Sequence, residues 1–146
     1  MAYQNALVKT VIQVLHDGER GFADIGEHLK NPSAKTYFMQ EAKTRGTFAT
    51  ELESEYGTDS GASTDIGGTA AGTVHRVWSD LKANLGGGDH TLLESAEQGE
   101  DASKKAYKEA LEDTNVSGAM RSILQRQQQH IHDSHDKVKA MRDSTS

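Results

Sequence analysis

Apolar and small residues recur along this chain at alternating steps of three and four, the spacing of a helix that buries one stripe. Val8, Val11, Leu15, Gly18, Phe22, Ile25 and Leu29 form the first such seam and predict a helix over about residues 3–29. Asn31-Pro32-Ser33 interrupts it. Asn31 is a good N-cap, and Pro32 suits the first turn of a second helix over 32–56. That helix carries Phe38, Ala42, Arg45, Ala49, Leu52 and Tyr56 on its seam, so Arg45 fills an otherwise apolar slot. Gly57 to Gly68 reads as a loop. A third helical segment over about 66–85 contains Val74, Val77, Trp78, Leu81 and Leu85, and Gly86-Gly87-Gly88 breaks it. Asp89 caps a fourth helix to about 113 with the seam Leu92, Ala96, Gly99, Ser103, Ala106 and Ala110. After the turn Asp113-Thr114-Asn115, a fifth helix over 116–142 presents Met120, Leu124, Gln127, Ile131, Ser134, Val138 and Met141. Gln127 is the second polar residue in an apolar slot.

Four helices of some 25 residues are each ~37 Å long, and the third segment is ~30 Å, about enough to return the chain from one end of a bundle to the other. The expected fold is therefore all-α, a single domain over 1–146. It is a ferritin-like four-helix bundle ordered up, down, crossover, down, up, with the crossover between the second and third bundle helices. A five-helix array without that crossover is the alternative. Burial against the bundle is the simplest role for Trp78 and its apolar neighbours.

Two glycines stand mid-helix, where each costs ~1 kcal/mol relative to alanine. Gly18-Glu19 and Gly99-Glu100 sit at matching depth, flanked by Val11, Leu15 and Phe22 on the first helix and by Leu92, Ala96 and Ser103 on the fourth. The missing side chains leave room for Arg45 and Gln127, and the flanking glutamates can receive a guanidinium. The sequence thus predicts a polar core network of Arg45, Gln127, Glu19 and Glu100, because a buried arginine requires ionic and hydrogen-bonding partners.

The motifs Asp17-Gly18-x-x-Gly21-Phe22, Arg45-x-x-Phe48-x-x-Glu51-Leu52, His75-Arg76-x-Trp78-x-x-Leu81-Lys82, Glu97-x-Gly99-Glu100-Asp101-x-x-x-x-x-Tyr107 and Arg126-Gln127 with His135-Asp136 follow one another along nearly the whole chain. In this order they resemble a bacterial domain-of-unknown-function family, the 2383 family. The resemblance implies a ferritin-like bundle and a small soluble bacterial protein linked to stress or storage physiology. It transfers no catalytic residue.

Carboxylate-bridged dimetal bundles take one Glu from each of two helices and Glu-x-x-His from each of the other two. No glutamate here is followed by histidine at the third position, and the second helix has no histidine. A sparser iron or manganese site remains the alternative, built from Glu19, Glu51, Glu97, Glu100 and His135 with His130 in reserve. The run His130, His132, His135 offers a few imidazoles for zinc or nickel, and otherwise reads as a polar helix face. Glu94, Glu97 and Glu100 read as a solvated ladder.

Charge and composition narrow the partners. The net charge is −6, and no block of basic residues marks a nucleic-acid footprint. The absence of cysteine excludes a disulfide framework and thiolate chemistry. No apolar run approaches the ~18 residues of a membrane span, and no secretory leader is apparent. The glycine runs lack the Gly-Lys-Ser/Thr of a phosphate loop. The expectation is a cytoplasmic, non-enzymatic bundle with a protein or homo-oligomer partner; the metal-binding bundle is its rival.

Overall fold

A computed structural model describes residues 6–56, 78, 81, 85–116 and 118–145. Four helices have their bounds among the described residues: α1 Ala6–His28, α2 Pro32–Tyr56, α3 Asp89–Glu112 and α4 Gly118–Asp143. The seams read from the sequence are the buried stripes. Val8, Val11, Leu15, Phe22 and Ile25 of α1, Phe38, Ala49 and Leu52 of α2, Leu92, Ala96 and Ala110 of α3, and Leu124, Ile131 and Val138 of α4 are all fully buried in one core.

α1 packs on α2 and α3, and α4 completes the square against the same two helices. Backbone N–H groups of Lys30 and Asn31, after α1, donate to the Asp89 carboxylate at the start of α3 (2.9 and 3.0 Å). The end of α1 therefore meets the beginning of α3, and those helices are antiparallel. Tyr37 near the start of α2 meets Ser134 late in α4, while Glu51 late in α2 meets Gln127 early in α4. The order is up, down, down, up. Nearest neighbours run antiparallel, with α2 and α3 facing each other across a diagonal. α2 ends at the pole opposite the start of α3. The crossover helix expected over 66–85 lies outside the described residues except for Trp78, Leu81 and Leu85; Trp78 and Leu81 are helical and buried.

Local signals set the helix ends. Asn31 Oδ1 accepts the Ala34 N–H at 3.0 Å and caps α2 as expected. Asp89 departs from expectation. It is the first residue of α3, whose N-cap is Gly88 with no side-chain cap, and its carboxylate instead ties down the α1–α2 turn. Arg121 clamps the α3–α4 turn by donating to the carbonyls of Val116, Leu111 and Asp113, satisfying acceptors that a helix C-terminus leaves free.

Candidate functional site: a buried guanidinium centre

Arg45 is the largest fully buried side chain in the bundle. It reaches the centre because α2 presents it on the seam between Ala42 and Ala49, both small. Its Nε donates to Glu41 Oε2 at 2.8 Å. Its Nη2 donates to Ser134 Oγ of α4 at 3.1 Å and stands 2.7 Å from Glu100 Oε1 of α3. The Glu100 contact is a close ion pair, not an aligned hydrogen bond, and Glu100 Oε2 has no hydrogen-bond partner among the described residues. Phe22 of α1 covers the guanidinium, with Cζ 4.5 Å from the ring centroid. All four helices thus converge on one cation.

A second layer orients the first. Tyr37 Oη donates to Ser134 Oγ at 2.9 Å. His130 Nε2 lies 2.9 and 3.0 Å from the two Glu41 oxygens. An ionised carboxylate only accepts, so Nε2 carries the proton of that bond. Burial pushes the Glu41 carboxyl up, yet the His130 hydrogen bond and the Arg45 charge outweigh it and hold Glu41 below its ordinary 4.5. Burial opposes the charge on Arg45, but Glu100 and Glu41 together raise its pKa above the ordinary arginine value, so the centre holds a permanent cation. Burial pushes the Tyr37 phenol up to about 12, and pushes Tyr107 up as well.

A lowered carboxylate pKa stabilises the fold above the unfolded value, and that contribution disappears as pH falls through the folded value. The stability difference between wild type and Glu41→Gln should therefore be constant near neutrality and shrink as pH drops below 4.5. Denaturant melts of both proteins across that range check it; a gap that stays constant into strong acid contradicts the assignment.

The structure divides the residues expected to share one network. Arg45 and Glu100 meet, and Glu100 is fully buried, not on a rim. Glu19 is not among Arg45's partners: its carboxylate lies against Gly46, where an added Cβ would overlap it, and 3.9 Å from His16. Gln127 is fully buried but forms a separate relay. It accepts the Tyr107 hydroxyl proton at 2.8 Å and donates to Glu51 Oε1 at 2.9 Å. The glycines also divide differently. A Cβ on Gly18 would sit 3.8 Å from Arg45 Nη1, an ordinary contact, whereas one on Gly99 would overlap the Trp78 ring. Gly99 makes room for Trp78, not for Gln127, and its counterpart is Gly21, whose Cβ would overlap the same ring.

The five residues considered for iron or manganese lie in different places. Glu51 pairs with Arg126, Glu100 with Arg45, and Glu97 with Arg142. Glu19 sits near His16, and His135 Nε2 lies 2.9 Å from Asp101 and 3.8 Å from Glu97. Among the described residues, no group of three or more His, Asp or Glu side chains is arranged to hold a metal ion. The three histidines diverge: His130 turns to Glu41, His135 to Asp101, and His132 is exposed. Glu19 and Glu51 line an open groove with Lys43, Phe48 and Arg126.

Sequence reasoning missed Glu41, Tyr37 and the His130 contact. Glu41 was findable, since Glu four residues before Arg on one helix is a favourable pair. The long-range partners carry no local signal.

Residues 4–113 match the family described as Domain of unknown function (DUF2383). The match stops before α4, which supplies His130 and Ser134. No curated protein and no solved structure matches the chain. Among the described residues, no helix is long and apolar enough to cross a membrane.

Proposed function

This chain belongs to the DUF2383 domain-of-unknown-function family, and on that footing we propose that it is a non-enzymatic, ferritin-like bundle that acts through a protein partner or a second copy of itself. Its built-in guanidinium does the charge-balancing that metal ions perform in dimetal bundles. The observation that carries this reading is Arg45, fully buried between Glu41 and Glu100. In a dimetal bundle, inward carboxylates exist to neutralise and bridge ions. Here the inward carboxylates are committed to an arginine whose charge does not titrate away. Ser134, Phe22 and His130 complete its surroundings. Such a centre specifies how four helices register against one another, a role attested for buried polar groups in other bundles.

The bacterial origin and stress association come from the family resemblance. The acidic net charge, with no block of basic residues, supports a reading without a nucleic-acid partner, and a cytoplasmic setting is part of the same proposal. The rival reading, an iron or manganese protein, has its best support where His135 meets Asp101 and Glu97.

Elemental analysis of untagged protein, followed by anaerobic iron(II) and manganese(II) titration, separates the two. The expected result is no stoichiometric metal and no saturable binding. One equivalent or more of iron or manganese, lost in a folded Glu100→Ala or His135→Ala variant, would overturn this reading.

A further inference from the structure

Two polar side chains in the core have no hydrogen-bond partner among the described residues: the indole Nε1 of Trp78 and the Glu100 carboxylate. Glu100 is fully buried and Trp78 is 7% exposed, so bulk water reaches neither polar end. Arg45 Nη2 stands 2.7 Å from Glu100 Oε1 and offsets its charge, while Oε2 keeps its full capacity to accept. Burying a donor or an acceptor unpaired is costly. Native cores satisfy nearly all such groups, and where side chains do not reach, an internal water does.

The two groups share one neighbourhood. Trp78 lies against Gly99, the residue before Glu100: a Cβ there would fall 3.0 Å from Cε2, the ring atom bonded to Nε1. Phe22 borders both from α1. Its ring meets the indole edge-on at 6.0 Å and covers the guanidinium that holds Glu100. Their chemistry then selects the guest. The indole nitrogen only donates, and a carboxylate facing a guanidinium only accepts. Whatever joins them must accept one hydrogen bond and donate another. Water does both. A metal or ammonium ion has no lone pair for the N–H, and a simple anion is repelled by the carboxylate.

We propose that a single buried water bridges Trp78 Nε1 and Glu100 Oε2, accepting from the indole and donating to the carboxylate. The site goes beyond the arginine-centred reading and does not depend on it, since it needs only the indole and the carboxylate. Through the water, Trp78 is tied to the ion cluster as well as wedged between Gly21 and Gly99. The bundle centre and the segment that carries Trp78 thereby share one hydrogen-bonded unit.

Trp78 is the chain's one tryptophan, so its indole N–H gives one resolved NMR signal in the isotope-labelled full chain. Water-selective rotating-frame Overhauser spectra test the bridge, because cross-peaks from a held water and from proton exchange have opposite signs. The expected result in wild type is a cross-peak at the water frequency with the sign of dipolar contact. It should persist in Ser103→Ala, which removes a buried hydroxyl one turn along α3 that would otherwise relay exchange. It should disappear in Glu100→Leu, with an upfield move of the indole signal. No cross-peak in wild type, its loss in Ser103→Ala, or its persistence in a folded Glu100→Leu overturns the proposal. The wild-type and Ser103→Ala measurements decide the matter even where Glu100→Leu does not fold.

Discussion

Replacing Arg45 with methionine lowers the stability of the bundle by about 3–5 kcal/mol near neutral pH, the usual cost of removing one partner from a buried ion pair. Methionine fills much of the same volume, so the loss is not chiefly a cavity. It arises because Glu41 and Glu100 stay behind, both buried, with no cation between them. Ser134 loses the Arg45 donor, and Phe22 loses a desolvated cation over its ring. Part of the penalty is relieved by protonating a carboxylate, so the variant should regain stability relative to wild type as pH is lowered. The triple change Arg45→Met, Glu41→Leu, Glu100→Leu should return stability to the wild-type value or above it, since well-packed apolar residues often match a buried ionic cluster. Urea denaturation with unchanged slopes would report both effects. Wild-type stability in Arg45→Met alone would show that the centre contributes nothing to stability and leave it only a role in specifying registry.

How much of this centre could be read from the sequence depends on the range of each interaction. The four bundle helices and their seams were legible because periodicity is local and repeated: Val8 to Ile25 on α1 and Leu124 to Val138 on α4 are buried as their spacing demands. Arg45 and Gln127 were legible as exceptions, each a polar residue in an apolar slot. What each one touches was not. Pairing Gln127 with Tyr107, or Arg45 with Ser134, depends on the relative height of two helices, which no spacing within either helix encodes. The Gly18 and Gly99 pairing failed for the same reason. Aligning the two halves by sequence put Gly99 opposite Gly18, but the ring of Trp78 selects Gly21 as its true counterpart. Asp89 shows a subtler failure: the residue type was right for an N-cap, yet the nearest unpaired donors were those of the α1–α2 turn.

That glycine notch carries the second large effect. Gly21 of α1 and Gly99 of α3 leave a slot between their helices that the indole of Trp78 fills, and the ring then meets Phe22 edge-on at 6.0 Å. Trp78→Ala should cost about 3–5 kcal/mol, the range for emptying a buried aromatic site. Gly99→Ala is the more discriminating change. Helix propensity favours it by ~1 kcal/mol, but its Cβ would occupy ring atoms, so the indole or the α1–α3 spacing must give way at a cost of about 1–3 kcal/mol. The expected net effect is destabilisation, with a red shift in emission from the chain's one tryptophan. Gly18→Ala is the control. Its Cβ meets Arg45 at 3.8 and 3.9 Å, ordinary contact distances, so propensity prevails and the variant should gain ~0.5–1 kcal/mol. In a Trp78→Ala background the obstruction at Gly99 is gone, and Gly99→Ala should change sign and stabilise. The double-mutant cycle measures the coupling directly. If Gly99→Ala stabilises the wild-type protein as much as Gly18→Ala does, the two glycines at the notch are not there to admit the ring.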